Sequence, residues 1–219
     1  MSEFYDLAII DYFDKHFAYN EHLNDQQFID ASPDPQTCPV CGRLMGRRYW
    51  PEPRKIILSK PKYGDFVSGN AYLVSENFKT AYEQSDLKGI KKFIPVEVEK
   101  VRYARKHPAK PPQYYSLEVV YSLAQLDRVK SKIEYDVDLT ASNKACSLCS
   151  PYGIAAKSVI NGLHIDTTNW AGEDIFHIHE MGSSVYASQK FVDFCLEHNF
   201  TNFKYMNTKD YMYPPARFR

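Results

Sequence analysis

"GDFVSGNAYLVSENFKTAYEQSDLKGIKKFIPVEV" (residues 64–98) decides the fold, because a second stretch, "GEDIFHIHEMGSSVYASQKFVDFCLEHNFTNFKYMNT" (172–208), repeats its physical pattern. At one constant offset Gly69 falls on Gly182, Ser75 on Ser188, Phe78 on Phe191, Leu87 on Phe200 and Ile90 on Phe203. Each copy contains a short strand-like run, "AYLV" or "SVYA", and then a serine able to accept a free backbone N–H at a helix start. Phe78, Ala81 and Tyr82 follow at i, i+3 and i+4, as do Phe191, Phe194 and Cys195. That spacing lays one apolar stripe along a short amphipathic helix. Gly89 and Asn202, the residue types that best tolerate a left-handed backbone, are expected to stop the two helices. "IKKFIPVEV" and "FKYMNT" then leave as strands.

One CxxC pair precedes each copy: "CPVCG" at 38–42 and "CSLCS" at 146–150. The chain therefore reads as α+β, two pseudo-repeated strand–helix–strand halves joined at a shared four-cysteine zinc site. Structural zinc is tetrahedral and takes four thiolate or imidazole ligands, and a CxxC turn aims two sulfurs at one point. Cys38, Cys41, Cys146 and Cys149 thus supply one complete set. Gly42 is free to take the turn after the second sulfur, and Ser150 stands at the matching place in the other knuckle. The long insertion between the pairs costs little, because loop-closure entropy grows only logarithmically. Two alternatives remain: redox pairs, which would open a helix in a βαβ setting, and independent buried thiols, which would not need the repeated spacing. Cys195 lies on the apolar stripe of its helix and reads as a small buried hydrophobe rather than a nucleophile.

The surrounding chain divides into an acidic N-terminal segment packed on the body (1–36), a first CxxC half (37–101), a linker loop and strands (102–140), a second CxxC half (141–213) and a tail (214–219). The first 36 residues hold eight acidic groups and a single lysine. The linker contains "ARKHPAKPPQ", an exposed and partly extended basic loop, followed by the alternating runs "YYSLEVVYSL" and "KIEYDVDL".

Over the whole 219 residues, 27 basic and 27 acidic groups cancel. A general polyanion binder would show a basic excess, so nucleic acid is disfavoured as a partner. No apolar run approaches the ~20 residues of a membrane span, and the N-terminus is acidic where a signal peptide would be basic. A cytosolic protein is expected, a setting in which CxxC pairs bind metal or do redox chemistry more often than they form structural disulfides. Aromatic residues make up 15% of the chain, with 17 Tyr and 13 Phe; such residues suit strands and binding surfaces alike. "HIHE" places His177 and His179 in alternation, but no further ligand constellation accompanies them. Asp65 and Asp174 stand in matching Gly–Asp and Glu–Asp contexts and read as turn residues. GxSxG, P-loop and GxGxxG motifs are all absent from the sequence, so no catalytic role is expected.

The two CxxC pairs, with the pattern following the first and the segment "GEDIF…SSVYASQKFVDFCLEHNFTNFKYM", resemble the double-CXXCG motif proteins found among immunity proteins of bacterial polymorphic toxin systems. The resemblance covers residues 36–213 and departs at Ser150, where glycine is the family pattern. It implies an antidote that binds one cognate toxin and occludes its active or target-binding site, with Cys38, Cys41, Cys146 and Cys149 as metal ligands. A nuclease and an ADP-ribosyltransferase fit equally well as the toxin. Hot spots favour Tyr, Trp and Arg, so Tyr103, Arg105, Tyr114 and Tyr115 in the loop between the halves are candidate toxin contacts. The acidic N-terminal segment is a second candidate surface. Two rival readings differ in class: a zinc-ribbon nucleic-acid-binding or regulatory protein using the basic aromatic stretch 102–115, and an enzyme using His177 and His179.

Overall fold

The computed structural model describes residues 3–7, 17–18, 20–21, 37–42, 50–67, 72–102, 109–127, 129–132, 134–135, 146, 148, 157–181 and 184–213. Its strands, in chain order, are β1 (Phe4–Asp6), β2 (Asn20–Glu21), β3 (Arg54–Leu58), β4 (Phe66–Val67), β5 (Leu73–Ser75), β6 (Ile90–Val101), β7 (Tyr114–Val119), β8 (Tyr121–Ser122), β9 (Gln125–Leu126), β10 (Glu134–Tyr135), β11 (Lys157–Asn161), β12 (Ile165–Asp166), β13 (Ile175–Ile178), β14 (Tyr186–Ser188), β15 (Met206–Asn207) and β16 (Met212–Tyr213). Two α-helices, α1 (Glu76–Glu83) and α2 (Gln189–Glu197), follow β5 and β14 directly.

Six strands form one mixed sheet, in the order β2-β3-β6-β7-β5-β4, and five form another, β15-β1-β14-β13-β8. Within them lie two matching four-strand runs. In the first, β4-β5-β7-β6 pair antiparallel throughout. In the second, β13-β14-β1-β15 do the same. The strand that feeds the helix occupies the same place in both. Its flanking strand comes from downstream in one half (β7) and from the N-terminus in the other (β1). The acidic segment thus contributes a strand inside the second sheet, and Tyr114–Val119 lies inside the first.

The register repeats down to single residues. Ser75 opposes Tyr114 and Ser188 opposes Phe4; Val74 opposes Tyr115 and Ala187 opposes Tyr5. The Tyr115 hydroxyl donates to Glu76, the first residue of α1, and the Tyr5 hydroxyl to Gln189, the first residue of α2. Alternation along each feeding strand sends one side chain to a shared core and the next to a core of its own half. Val74 and Ala187 join Phe78, Tyr82, Phe191, Phe194 and Phe200 in the shared cluster. Leu73 packs with Trp50, Ile56 and Tyr114, whereas Tyr186 packs with Phe4, Phe176 and Ile178. Phe78 lies 6.1 Å from both Phe191 and Phe194, so the helix stripes foreseen from spacing meet each other. Cys195 is buried in that cluster, and burial pushes its thiol pKa well up.

Both serine caps form as the spacing predicts: Ser75 Oγ accepts the Phe78 N–H at 3.2 Å and Ser188 Oγ the Phe191 N–H at 3.3 Å. The stop signals act differently. Helix α1 gives way at Gln84 and α2 at His198, followed by Asn199 at φ +54°. Gly89 (φ +122°) and Asn202 (φ +59°) do adopt the left-handed region, but several residues further on. There each touches the other half. A Cβ on Gly89 would run into the Ile175 carbonyl, and the Asn202 side-chain amide donates to the Phe66 carbonyl at 2.7 Å.

Asp65 and Asp174 complete this exchange. Asp65 accepts from Ser75 Oγ (2.8 Å) and, through its other oxygen, from Thr201 N and Thr201 Oγ1 (2.9 and 2.8 Å). Asp174 accepts from Ser188 Oγ (2.8 Å) and Lys88 N (3.0 Å). Each carboxylate therefore steadies the cap of its own helix and the turn beyond the other half's helix. Gly69 and Gly182, which anchor the sequence alignment, lie outside the described residues.

Candidate functional site

The first CxxC pair sits in a tight turn. Gly42 adopts φ +70° and its N–H donates to the Cys38 carbonyl at 2.9 Å, which curls the chain so that both sulfurs face one point. Cys38 is 1% exposed, Cys146 is half-buried and Cys41 is open to solvent. Their three Sγ atoms lie within 4.8 Å of one another, the Cys38–Cys146 pair at 3.7 Å. Two sulfurs bound to one tetrahedral zinc at about 2.3 Å stand about 3.8 Å apart, whereas a disulfide would draw them to about 2.05 Å. The spacing therefore matches metal ligation by thiolates. The Leu148 N–H donates to Cys146 Sγ (3.4 Å), and Leu148 packs beside Cys38 in a small apolar cluster. The triad can hold a metal ion, and it joins residues 108 positions apart in the chain. Cys149 lies outside the described residues.

Among the described residues, no other group of histidine, cysteine and carboxylate side chains has metal-ligating geometry. His177 instead stacks on the Tyr121 ring at 4.8 Å, and its Nδ1 meets the Ser184 carbonyl at 2.7 Å. His179 opens the 3-10 turn His179–Met181, buried, with its ring 5.1 Å from the same tyrosine. Burial pulls its pKa down, partly opposed by Glu180, whose carboxylate accepts the Leu126 N–H at 2.8 Å. These are core and packing roles.

Of the expected toxin contacts, Tyr103 and Arg105 lie outside the described residues. Tyr114 is fully buried, its hydroxyl donating to the Gly64 carbonyl at 2.9 Å, and burial raises its pKa. It is a core residue, because the strand alternation that exposes Tyr115 turns Tyr114 inward. Tyr115 is half-exposed beside α1. The Lys79 ammonium lies 5.3 Å from its ring centroid, and the bond to Glu76, together with desolvation, pushes its pKa up to about 12.

A cleft of about 440 Å³ opens beside the described end of the basic loop, lined by Glu52 to Arg54, by Pro95 to Val98 and by Lys110 to Gln113. Gln113 Nε2 donates to the Val96 and Tyr114 carbonyls (3.0 and 2.8 Å) and so ties the loop's end to the sheet. Arg54 is buried and committed to the Trp50 carbonyl and to Ser116. Sequence reasoning missed this cleft; the prolines Pro53, Pro95, Pro111 and Pro112 that line it are the signal that could have found it.

The described helices include none long and apolar enough to cross a membrane. The chain belongs to the immunity protein family Imm11, whose sequence profile matches residues 16–210. No curated protein matches it.

Proposed function

We propose, with membership of this immunity family as the premise, that the chain neutralises its cognate toxin by seating on the toxin's active or target-binding site, on a scaffold held together by one structural zinc ion. As a family member it is a toxin-neutralising immunity protein, its partner is a cognate toxin, and it is not an enzyme. The single observation that supports the zinc staple is the Cys38–Cys41–Cys146 triad, with sulfur spacing suited to a tetrahedral ion. Cys149, three residues beyond Cys146, is the fourth ligand in this reading. The chain is then a double-CXXCG protein with Ser150 in place of the second glycine. Four thiolates leave no open position, so the ion has a structural rather than a catalytic role.

The division at 37, 102, 141 and 214 goes with this reading: two halves, each carrying one knuckle, with the toxin-contacting loop between them. Tyr103, Arg105 and Tyr115 remain the proposed toxin contacts on that loop and its following strand. The site of action is the cytosol, where thiolates stay reduced and available to metal.

The test is a titration of toxin activity with purified full-length protein, with zinc quantified on the same sample. Inhibition complete at one equivalent and relieved by excess toxin substrate, with about one zinc per chain, is the expected result. Inhibition that excess substrate does not relieve would replace occlusion with binding elsewhere on the toxin. A metal-free and equally stable protein would remove the zinc staple.

A further inference from the structure

Most sheet edges among the described residues are two-residue strands: β2 and β4 in the larger sheet, β15 and β8 in the smaller. Short edges of this kind give another chain little to pair with. β6 is the exception. It is twelve residues long, and its two neighbours cover different halves of it. β7 pairs with Ile90–Val96, and β3 pairs with Val96–Val101. On the side away from β7, Ile90–Pro95 thus has no ladder partner among the described residues, a span of about 20 Å at ~3.4 Å per residue. At its start the Ile90 N–H is taken by the Tyr82 hydroxyl at 3.1 Å, so the open edge proper begins at Lys91. A register shift between Ile90 and Lys92 bends its start, and Pro95, which lacks an N–H, closes its end.

This edge is basic. Lys88, Lys91 and Lys92 are exposed. Only Lys92 has an ion-pair partner among the described residues, Glu118 at a loose 3.9 Å. Lys110 adds a fourth cation at the rim of the cleft, which begins where the open edge ends, at Pro95 and Val96.

We propose that Lys91–Ile94 is the docking edge for an extended acidic segment of the cognate toxin, which adds as a strand beside β6 and runs toward the proline-lined cleft. This rests on the toxin-neutralising reading above and names the surface that serves it. Main-chain hydrogen bonds from an added strand supply affinity irrespective of sequence, and the side chains beside it supply the choice of partner. Here the choice is made by charge. Like charges facing each other across a ladder destabilise it, so a second copy of this edge is repelled, while aspartate or glutamate opposite Lys91 and Lys92 is attracted and steered in.

The experiment pairs the full-length chain with its toxin domain. Outward-facing amides between Lys91 and Ile94 are expected to exchange hydrogen at least tenfold more slowly in the complex. The K91E/K92E double variant is expected to bind at least a hundredfold more weakly. The charge-matched K130E/K132E variant, altered in an exposed turn, is expected to bind like wild type, and circular dichroism checks that all three proteins fold. Unprotected amides, with K91E/K92E binding within threefold of wild type while neutralisation persists, would overturn the docking edge and leave the antidote function standing. Slowed exchange at the same amides in concentrated toxin-free protein, with sedimentation showing a dimer, would assign the edge to self-pairing and overturn the proposal. A wild-type chain that fails to bind the toxin at all would overturn the neutralising reading itself.

Discussion

Replacing Asp174 by alanine tests the idea that the two halves are locked together by exchanged caps. The carboxylate is buried and accepts two hydrogen bonds, one from Ser188 Oγ and one from the Lys88 N–H of the other half. A hydrogen bond to a charged group contributes about 1.5–3 kcal/mol, and removing the acceptor also leaves the part-buried Lys88 N–H without this partner. The loss therefore amounts to roughly 3–5 kcal/mol, a large share of the ~5–15 kcal/mol that typically holds a folded protein together. For a chain of this size it corresponds to a fall in Tm of the order of 10 °C. Urea denaturation of D174A, S188A and D174A/S188A forms a double-mutant cycle. Residues in one network couple by ~0.5–3 kcal/mol, so the double variant should be more stable than the sum of the single losses predicts. Exposed Asp210→Ala serves as the control. A D174A loss under ~1 kcal/mol, or strict additivity with S188A, would refute the brace, because the scale set for buried charged hydrogen bonds would not apply.

Gly89→Ala should be among the most damaging single changes: the φ of +122° and the Ile175 carbonyl both oppose a Cβ, and a loss of ~4 kcal/mol or more is expected in the same denaturation assay. Cys38→Ser and Cys146→Ser should each reduce bound zinc from about one per chain toward zero and lower Tm, read by metal analysis and calorimetry on one preparation. Asp6, desolvated beside Tyr186, has its pKa raised from 3.8 to about 6 in the folded chain. The folded state therefore takes up a proton that the unfolded state refuses between about pH 6 and pH 4, so this group favours folding increasingly as pH falls through that window. Asp6→Asn should raise stability at pH 7.5 and flatten the profile between pH 4 and 6; an unchanged profile would show that Asp6 ionises as it does in the unfolded chain.

The repeat was legible because its parts are local. A capping serine, an i, i+3, i+4 aromatic stripe and a residue tolerant of positive φ are each dictated by a few neighbouring atoms, and both copies formed their helices where the spacing placed them. Cys38 and Cys41 were legible for a similar reason, since a CxxC turn is a local device that fixes the aim of two sulfurs. Where locality ended, the reading failed. Gly89 and Asn202 look like helix stops in sequence, yet their positive φ serves contacts with residues far away in the chain, the Ile175 and Phe66 carbonyls.

What the amino-acid sequence determined by itself was therefore the strand and capped helix of each half and the cysteine turn of the first, all set by short-range geometry and by the 3.6- and 2-residue periods of helix and strand. Tertiary structure decided how the halves are completed and joined. It brought β1 from the N-terminus into the place that β7 fills in the other half, turned Tyr114 into the core, and left part of β6 without a strand neighbour among the described residues. It also made Asp65 and Asp174 reach across the seam. None of these is written in a local pattern, because pairing partners are chosen by the burial of whole faces and by the ladder bonds of distant strands, and a single stretch of chain carries no record of which strand will lie beside it.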